Sequence, residues 1–216
     1  MAQKAANSPR KRPRQARSRA TVDAILDATA QVLVREGYDK TSTNRVAERA
    51  GVSVGSVYQY FPNKEALVGE LVDRYSRDIT DMLIAELAAN ADAPPTVVAP
   101  KLVRAMIAIK RQDPELARVL REQIPRVGRM QRYELQLEEI IGAVATYLRQ
   151  HEAMLKHTDV DVVAFVAVHT VDAATHAGVV SNAGFDDDTL ARHVTDLVLS
   201  YLVPGRPIAP GAPFPH

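Results

Sequence analysis

Residues 41–67 read TSTNRVAERAGVSVGSVYQYFPNKEAL, and the caps and stops in this stretch decide the fold. Thr43 is placed to cap a short helix over Asn44–Ala50, which Gly51 ends by entering the left-handed region. Ser53 then caps a second short helix from Val54 to about Phe61, stopped by Pro62, and Asn63 caps a long helix after it. Two short helices joined by a three-residue turn containing glycine form the helix-turn-helix pattern. Val46, Ala47, Ala50, Val52, Val57, Phe61 and Leu67 are spaced to face a common core. That leaves Ser53, Val54, Gly55, Ser56, Tyr58, Gln59 and Tyr60 on the outer face of the second helix.

Upstream, Val22, Ile25, Leu26, Thr29, Ala30 and Leu33 recur at helical spacing from Ser18 until Gly37, which predicts a first helix. Downstream, Leu67, Leu71, Tyr75, Ile79, Leu83 and Leu87 form one stripe of a long helix over residues 64–87. The alanine- and proline-rich stretch 88–100 is expected to be a loop, followed by a helix over Lys101–Arg111. Asp113-Pro114-Glu115 combines a cap, a first-turn proline and an acid, so another helix starts there and ends near Ile124-Pro125. Met130, Tyr133, Leu137, Ile141, Val144 and Leu148 align on the next. Residues from about Asp159 to Ser181 are apolar nearly all round, which predicts a buried helix, and Asp186-Asp187-Asp188 opens a last one that runs to Pro204. The expected fold is all-α, with about nine helices.

The chain has no cysteine, so packing alone must stabilise it. No uninterrupted apolar run approaches the length of a membrane span, and a cytoplasmic location is expected. The net charge of +1 hides an uneven distribution, with 12 Lys/Arg against 5 Asp/Glu in residues 1–64 and 15 against 21 in the remainder. The basic front end suits a polyanion.

On Ala47, Ala50-Gly51-Val52-Ser53, Gly55, Tyr58, Tyr60-Phe61, Lys64 and Leu67, preceded by Glu36-Gly37-Tyr38, the sequence resembles the TetR family of repressors. The resemblance covers roughly the first third of the chain, and the rest agrees in helix number, order and length. It implies a helix-turn-helix DNA-binding domain (17–63) and a helical ligand-sensing and dimerisation domain (64–203), while composition predicts a disordered basic arm (1–16) and a flexible proline-rich tail (204–216). It also implies that Thr43, Tyr58, Tyr60 and Lys64 contact phosphate. By the chemistry of the groove, Gln59 suits adenine and Val54 a thymine methyl, while Gly55 lets the backbone approach. Arg45 faces the same side and suits either role. Arg10 to Arg19 either track flanking DNA or are simply solvated.

One helix-turn-helix covers few base pairs, so a palindromic operator read by a homodimer is expected. The last two helices are the candidate interface, with Val179, Val180, Leu190, Val194, Leu197 and Tyr201 as candidate members, some of which must face their own subunit's core. A small hydrophobic effector is expected to enter a pocket lined by Met106, Ile109, Leu120, Met130, Tyr133, Leu137 and Phe165. His169, Asp172 and His176 share one helix face and leave three readings open: pocket groups, a buried network at the dimer seam, or metal ligands. By the resemblance, the long fourth helix would act as a lever that moves the recognition helices when effector binds. No catalytic motif or cofactor signature occurs, so no enzyme is expected. A sequence-neutral architectural DNA-binding protein using the basic arm is the alternative function.

Overall fold

The computed structural model describes residues 16–181 and 184–205. The basic arm and most of the proline-rich tail lie outside the described residues. Nine α-helices are found among those described: α1 (Ala16–Glu36), α2 (Thr43–Ala50), α3 (Val54–Tyr60), α4 (Lys64–Ala89), α5 (Pro95–Gln112), α6 (Pro114–Arg126), α7 (Met130–Gln150), α8 (Val160–Val180) and α9 (Asp187–Leu202). A single 3-10 turn, Glu152–Met154, follows α7, and no strand occurs among the described residues.

The chain packs as two units. One runs through Asp78 and adds Pro114–Gln136; the other comprises Ile79–Asp113 and the chain from Leu137 onward. The division therefore passes through α4 and α7 and leaves α6 with the helix-turn-helix, whereas the sequence put the edge of the DNA-binding domain at residue 63. The reason is apolar. Val119, Leu120, Ile124 and Val127 join Ile25, Leu33, Val46, Val57, Phe61, Leu67 and Leu71 in one buried core. In the second unit Val98, Leu148, Val163, Ala164 and Leu199 form one cluster, and Leu83, Met106 and Ile140 another.

Local sequence explains most element ends. Gly37 and Gly51 have φ of +78° and +68°, where a Cβ would be strained. Behind Gly51, the amide of Val52 bonds the Ala47 carbonyl at 3.1 Å and closes α2. Asn63 Oδ1 accepts from the Ala66 amide at 2.8 Å, as expected of a cap. One cap differs: Ser42, not Thr43, has the extended backbone and accepts from the Arg45 amide, so α2 begins at Thr43 itself. Both residues are competent caps, and placing Ser42 outside the helix leaves Thr43 facing inward.

Three expectations are corrected. Residues 95–100, expected as loop, are the first turns of α5, because Pro95 occupies the first helical position, where its missing N–H costs nothing. Pro125 likewise stays inside α6, which runs to Arg126. The helix α8 is not covered all round: Val162 and Phe165 are exposed, although Val163, Ala164 and Ala167 pack into the core. By length and composition α8 would also pass for a membrane span. It packs against α5 and α9 within its unit instead, and Asp172 in its middle pairs with Lys110.

Candidate nucleic-acid interface

The face that the sequence placed outward belongs to α3, which packs against α2. Val57 and Phe61 anchor α3 in the core, which turns Val54, Tyr58 and Gln59 to solvent with Ser53 and Gly55. Ser53 Oγ accepts from the Ser56 amide at 3.1 Å and so caps α3, and it lies 2.8 Å from Ser56 Oγ. Tyr58 is 42% exposed. Its hydroxyl accepts from Thr43 Oγ1 at 3.1 Å, which keeps its own proton available to an outside acceptor. Thr43 is buried, so it acts on this face by orienting Tyr58.

Tyr60 is corrected: only 7% exposed, it packs in the core and not on the outer face, and its hydroxyl donates to Ser18 Oγ of α1 at 3.3 Å. Its position, three residues after Val57 on the same helix side, carried that signal. Arg45 is exposed and ion-paired to Glu36 at 2.9 Å. Lys64 donates to the carbonyls of Tyr38 and Asp39 at 3.2 and 3.4 Å.

Gly55 has no packing reason to be glycine. A Cβ there would meet only Ser53 Oγ, at 3.8 Å, and its φ lies outside the left-handed region. Glycine inside a helix costs up to about 1 kcal/mol relative to alanine. Gly55→Ala is therefore expected to raise stability by roughly 0.5–1 kcal/mol in urea denaturation while weakening DNA binding, if the backbone must come close to a duplex.

The expected pocket residues do not come together in one unit. Leu120 and Tyr133 belong to the first core and Met130 is exposed there, whereas Met106, Ile109, Leu137, Phe165, His169, Asp172 and His176 lie in the second unit. Met106 is buried against Leu83 and Ile140. Phe165 is 53% exposed and stacks on His169 with ring centroids 4.2 Å apart, which suits a surface better than a cavity wall. Asp172 accepts from Lys110, a partner the sequence analysis missed. Among the described residues no group of three His, Asp or Glu is arranged to hold a metal. A cleft of about 340 Å³ opens in the second unit beside Arg104, Asp188, Arg192 and Asp196, and none of the expected pocket residues lines it.

Of the candidate interface residues, some of them expected to face their own subunit's core, Val179 and Val194 do so, buried in a cluster with Val103, Ile107 and Ala191. Leu197 is exposed, and Val180, Leu190 and Tyr201 are half-buried.

Comparison with known proteins agrees with this architecture. Residues 25–71 match the family model for bacterial regulatory proteins of the tetR family, and residues 94–202 match that for the tetracyclin repressor-like C-terminal domain. An uncharacterized HTH-type transcriptional regulator, YvkB of Bacillus subtilis, is 43% identical over 58 residues, covering 27% of this chain and 31% of the relative. The chain thus spans about a third of the length of that relative. Among solved structures, the fatty acid degradation regulator FadR of Bacillus halodurans superposes with a TM-score of 0.71 at 20% identity, over 88% of this chain and 97% of that one. SmeT, the repressor of the Stenotrophomonas maltophilia multidrug efflux pump, superposes in its triclosan complex with a TM-score of 0.66 at 23% identity, over 91% and 100%. With the C-terminal model alone matching half of the chain and the N-terminal one coinciding with the helix-turn-helix, this protein belongs to the TetR family of transcriptional regulators.

Proposed function

We propose that the chain is a cytoplasmic repressor that binds a palindromic operator as a homodimer and is released by a small hydrophobic effector. The observation that carries the DNA-binding part is Tyr58, held outward by Thr43 on a capped helix end. Short and polar side chains at the N-terminus of α3 fit a major groove, where Gln59 and Val54 would meet base edges. Thr43 then supports the contact indirectly through Tyr58, and Tyr60 supports it by fixing α3 against α1.

Two half-sites at fixed spacing require a second copy. Phe165 and Val162 on α8 with Leu197 on α9 supply exposed apolar surface for it. The repressor sense and the hydrophobic effector are supported by the names of the similar proteins, among them regulators of fatty acid degradation and of drug efflux. Effector would act by shifting the population toward a conformer with lower operator affinity. The helix α4, which has residues in both units, is the element placed to carry that shift.

The test uses a duplex selected by the protein from a random-sequence pool. Tyr58→Phe together with Lys64→Ala is expected to weaken binding roughly 10- to 30-fold, since each removes a phosphate contact at both half-sites. A palindromic footprint should accompany the wild-type complex. Unchanged affinity in the double variant, or uniform coverage of any duplex, would overturn the reading.

A further inference from the structure

The turn between α1 and α2 holds a charge cluster that includes a residue far from the helix-turn-helix in sequence. Arg126, the last residue of α6, places its guanidinium carbon 4.4 Å from the centroid of the Tyr38 ring and donates to Asp39 Oδ1 at 2.9 Å. Lys64 lies 4.6 Å from the centroid of the same ring. The Tyr38 hydroxyl donates to Glu65 Oε1 at 3.4 Å. One aromatic ring therefore carries two cations, and their mutual repulsion is offset by Asp39 and Glu65.

The acceptors that hold Lys64 are neutral carbonyls, so its charge is available to an external anion. The adjacent Asp39 carboxylate is the group that would spoil this. It is exposed, belongs to the residue whose carbonyl holds Lys64, and would both attract that ammonium and repel a phosphate. In the structure it is occupied by Arg126.

We propose that Arg126 is a positioning residue for the phosphate grip of Lys64: it neutralises Asp39, fixes the Tyr38 ring, and so keeps the Lys64 ammonium directed to DNA. The proposal rests on the reading that the surface of α3 and the start of α4 binds a duplex. It places one determinant of DNA affinity on α6, a helix that the sequence assigned to the sensing domain.

The experiment measures affinity of the full-length chain for the same pool-selected duplex across a series of NaCl concentrations. Arg126→Gln is expected to weaken binding roughly fivefold, the upper scale of one exposed charge interaction, and to lower the salt slope by about one. Adding Asp39→Asn to Arg126→Gln should restore most of the affinity, because the competing carboxylate is then gone. Arg126→Lys, which keeps the charge, should retain most of it too. Wild-type affinity in Arg126→Gln overturns the proposal, and so does a loss that Asp39→Asn fails to recover, since Arg126 would then be a direct phosphate contact. Lys64→Ala, measured alongside, separates the two levels. If it leaves affinity unchanged the DNA-face reading fails, whereas a loss there with none in Arg126→Gln rejects the positioning role alone. Unchanged circular dichroism and thermal midpoints show that each variant is folded.

Discussion

Replacing Asp73 by alanine is expected to destabilise the fold by about 3–5 kcal/mol, the scale of breaking a buried ion pair by removing one partner. Asp73 on α4 is only 1% exposed, and its Oδ2 lies 3.1 Å from Arg129 Nε and 2.6 Å from Arg132 Nη1. Arg129 is itself buried and lies directly over Gly69, where an added Cβ would sit 2.8 Å from the guanidinium carbon. The missing side chain at Gly69 is what lets the connection between α6 and α7 lie against α4. Alanine at Asp73 would remove the carboxylate that faces the Arg129 guanidinium. Gly69→Ala should act in the same direction but more weakly, by pushing the guanidinium away from Asp73. Urea denaturation of the two variants checks both, and a loss below about 1 kcal/mol for Asp73→Ala, the size of a surface pair, would show that the clamp is not a buried pair in solution.

The large cost does not make the intact pair a net stabiliser. Burial raises the Asp73 pKa above its ordinary value, outweighing the lowering by Arg129 and then Arg132. A carboxyl whose folded pKa is raised favours the fold fully below its unfolded pKa, and that contribution is lost as pH rises through the folded value. At neutral pH the carboxylate is thus held at a cost. What the clamp supplies is a fixed geometry, because a half-open state would leave charges buried without partners.

Features set by neighbours in sequence were legible. Ser53, Asn63, Gly37 and Gly51 are local devices, and the inward positions Val46, Val57, Phe61 and Leu67 follow from spacing alone. The outer face of α3 followed too, apart from Tyr60, whose polar tip made an otherwise inward ring look like a contact. Pro95 misled because proline marks a loop and a first helical turn equally well. What the sequence hid needs distant partners: Arg126 with Asp39, Arg129 with Asp73, and Lys110 with Asp172 are far apart along the chain. Periodicity places each on a face and is silent about which face meets which. For the same reason periodicity alone does not show that α6, whose apolar stripe would suit any core, packs in the core of the first unit.

The second large effect is expected at Asp172, and its size should depend on which partner is removed. Lys110 on α5 has a side chain only 3% exposed and donates to Asp172 Oδ1 at 2.9 Å, to the Asp172 carbonyl at 3.1 Å and to Thr175 Oγ1 at 2.9 Å. Asp172 is 19% exposed and so retains some access to water. Asp172→Ala removes the carboxylate that faces an enclosed ammonium, and breaking such a buried pair should cost about 3–5 kcal/mol. Lys110→Met leaves a carboxylate that can recover hydration and fills the space with an apolar stem, so roughly 1–2 kcal/mol is expected. The double variant Lys110→Met/Asp172→Leu should lie closer to wild type than Asp172→Ala does, because no charge is then enclosed. Urea denaturation of the three variants decides. Equal losses for the two single variants would mean that the enclosed charge does not set the energetics, and that α8 is held to α5 by its apolar contacts alone.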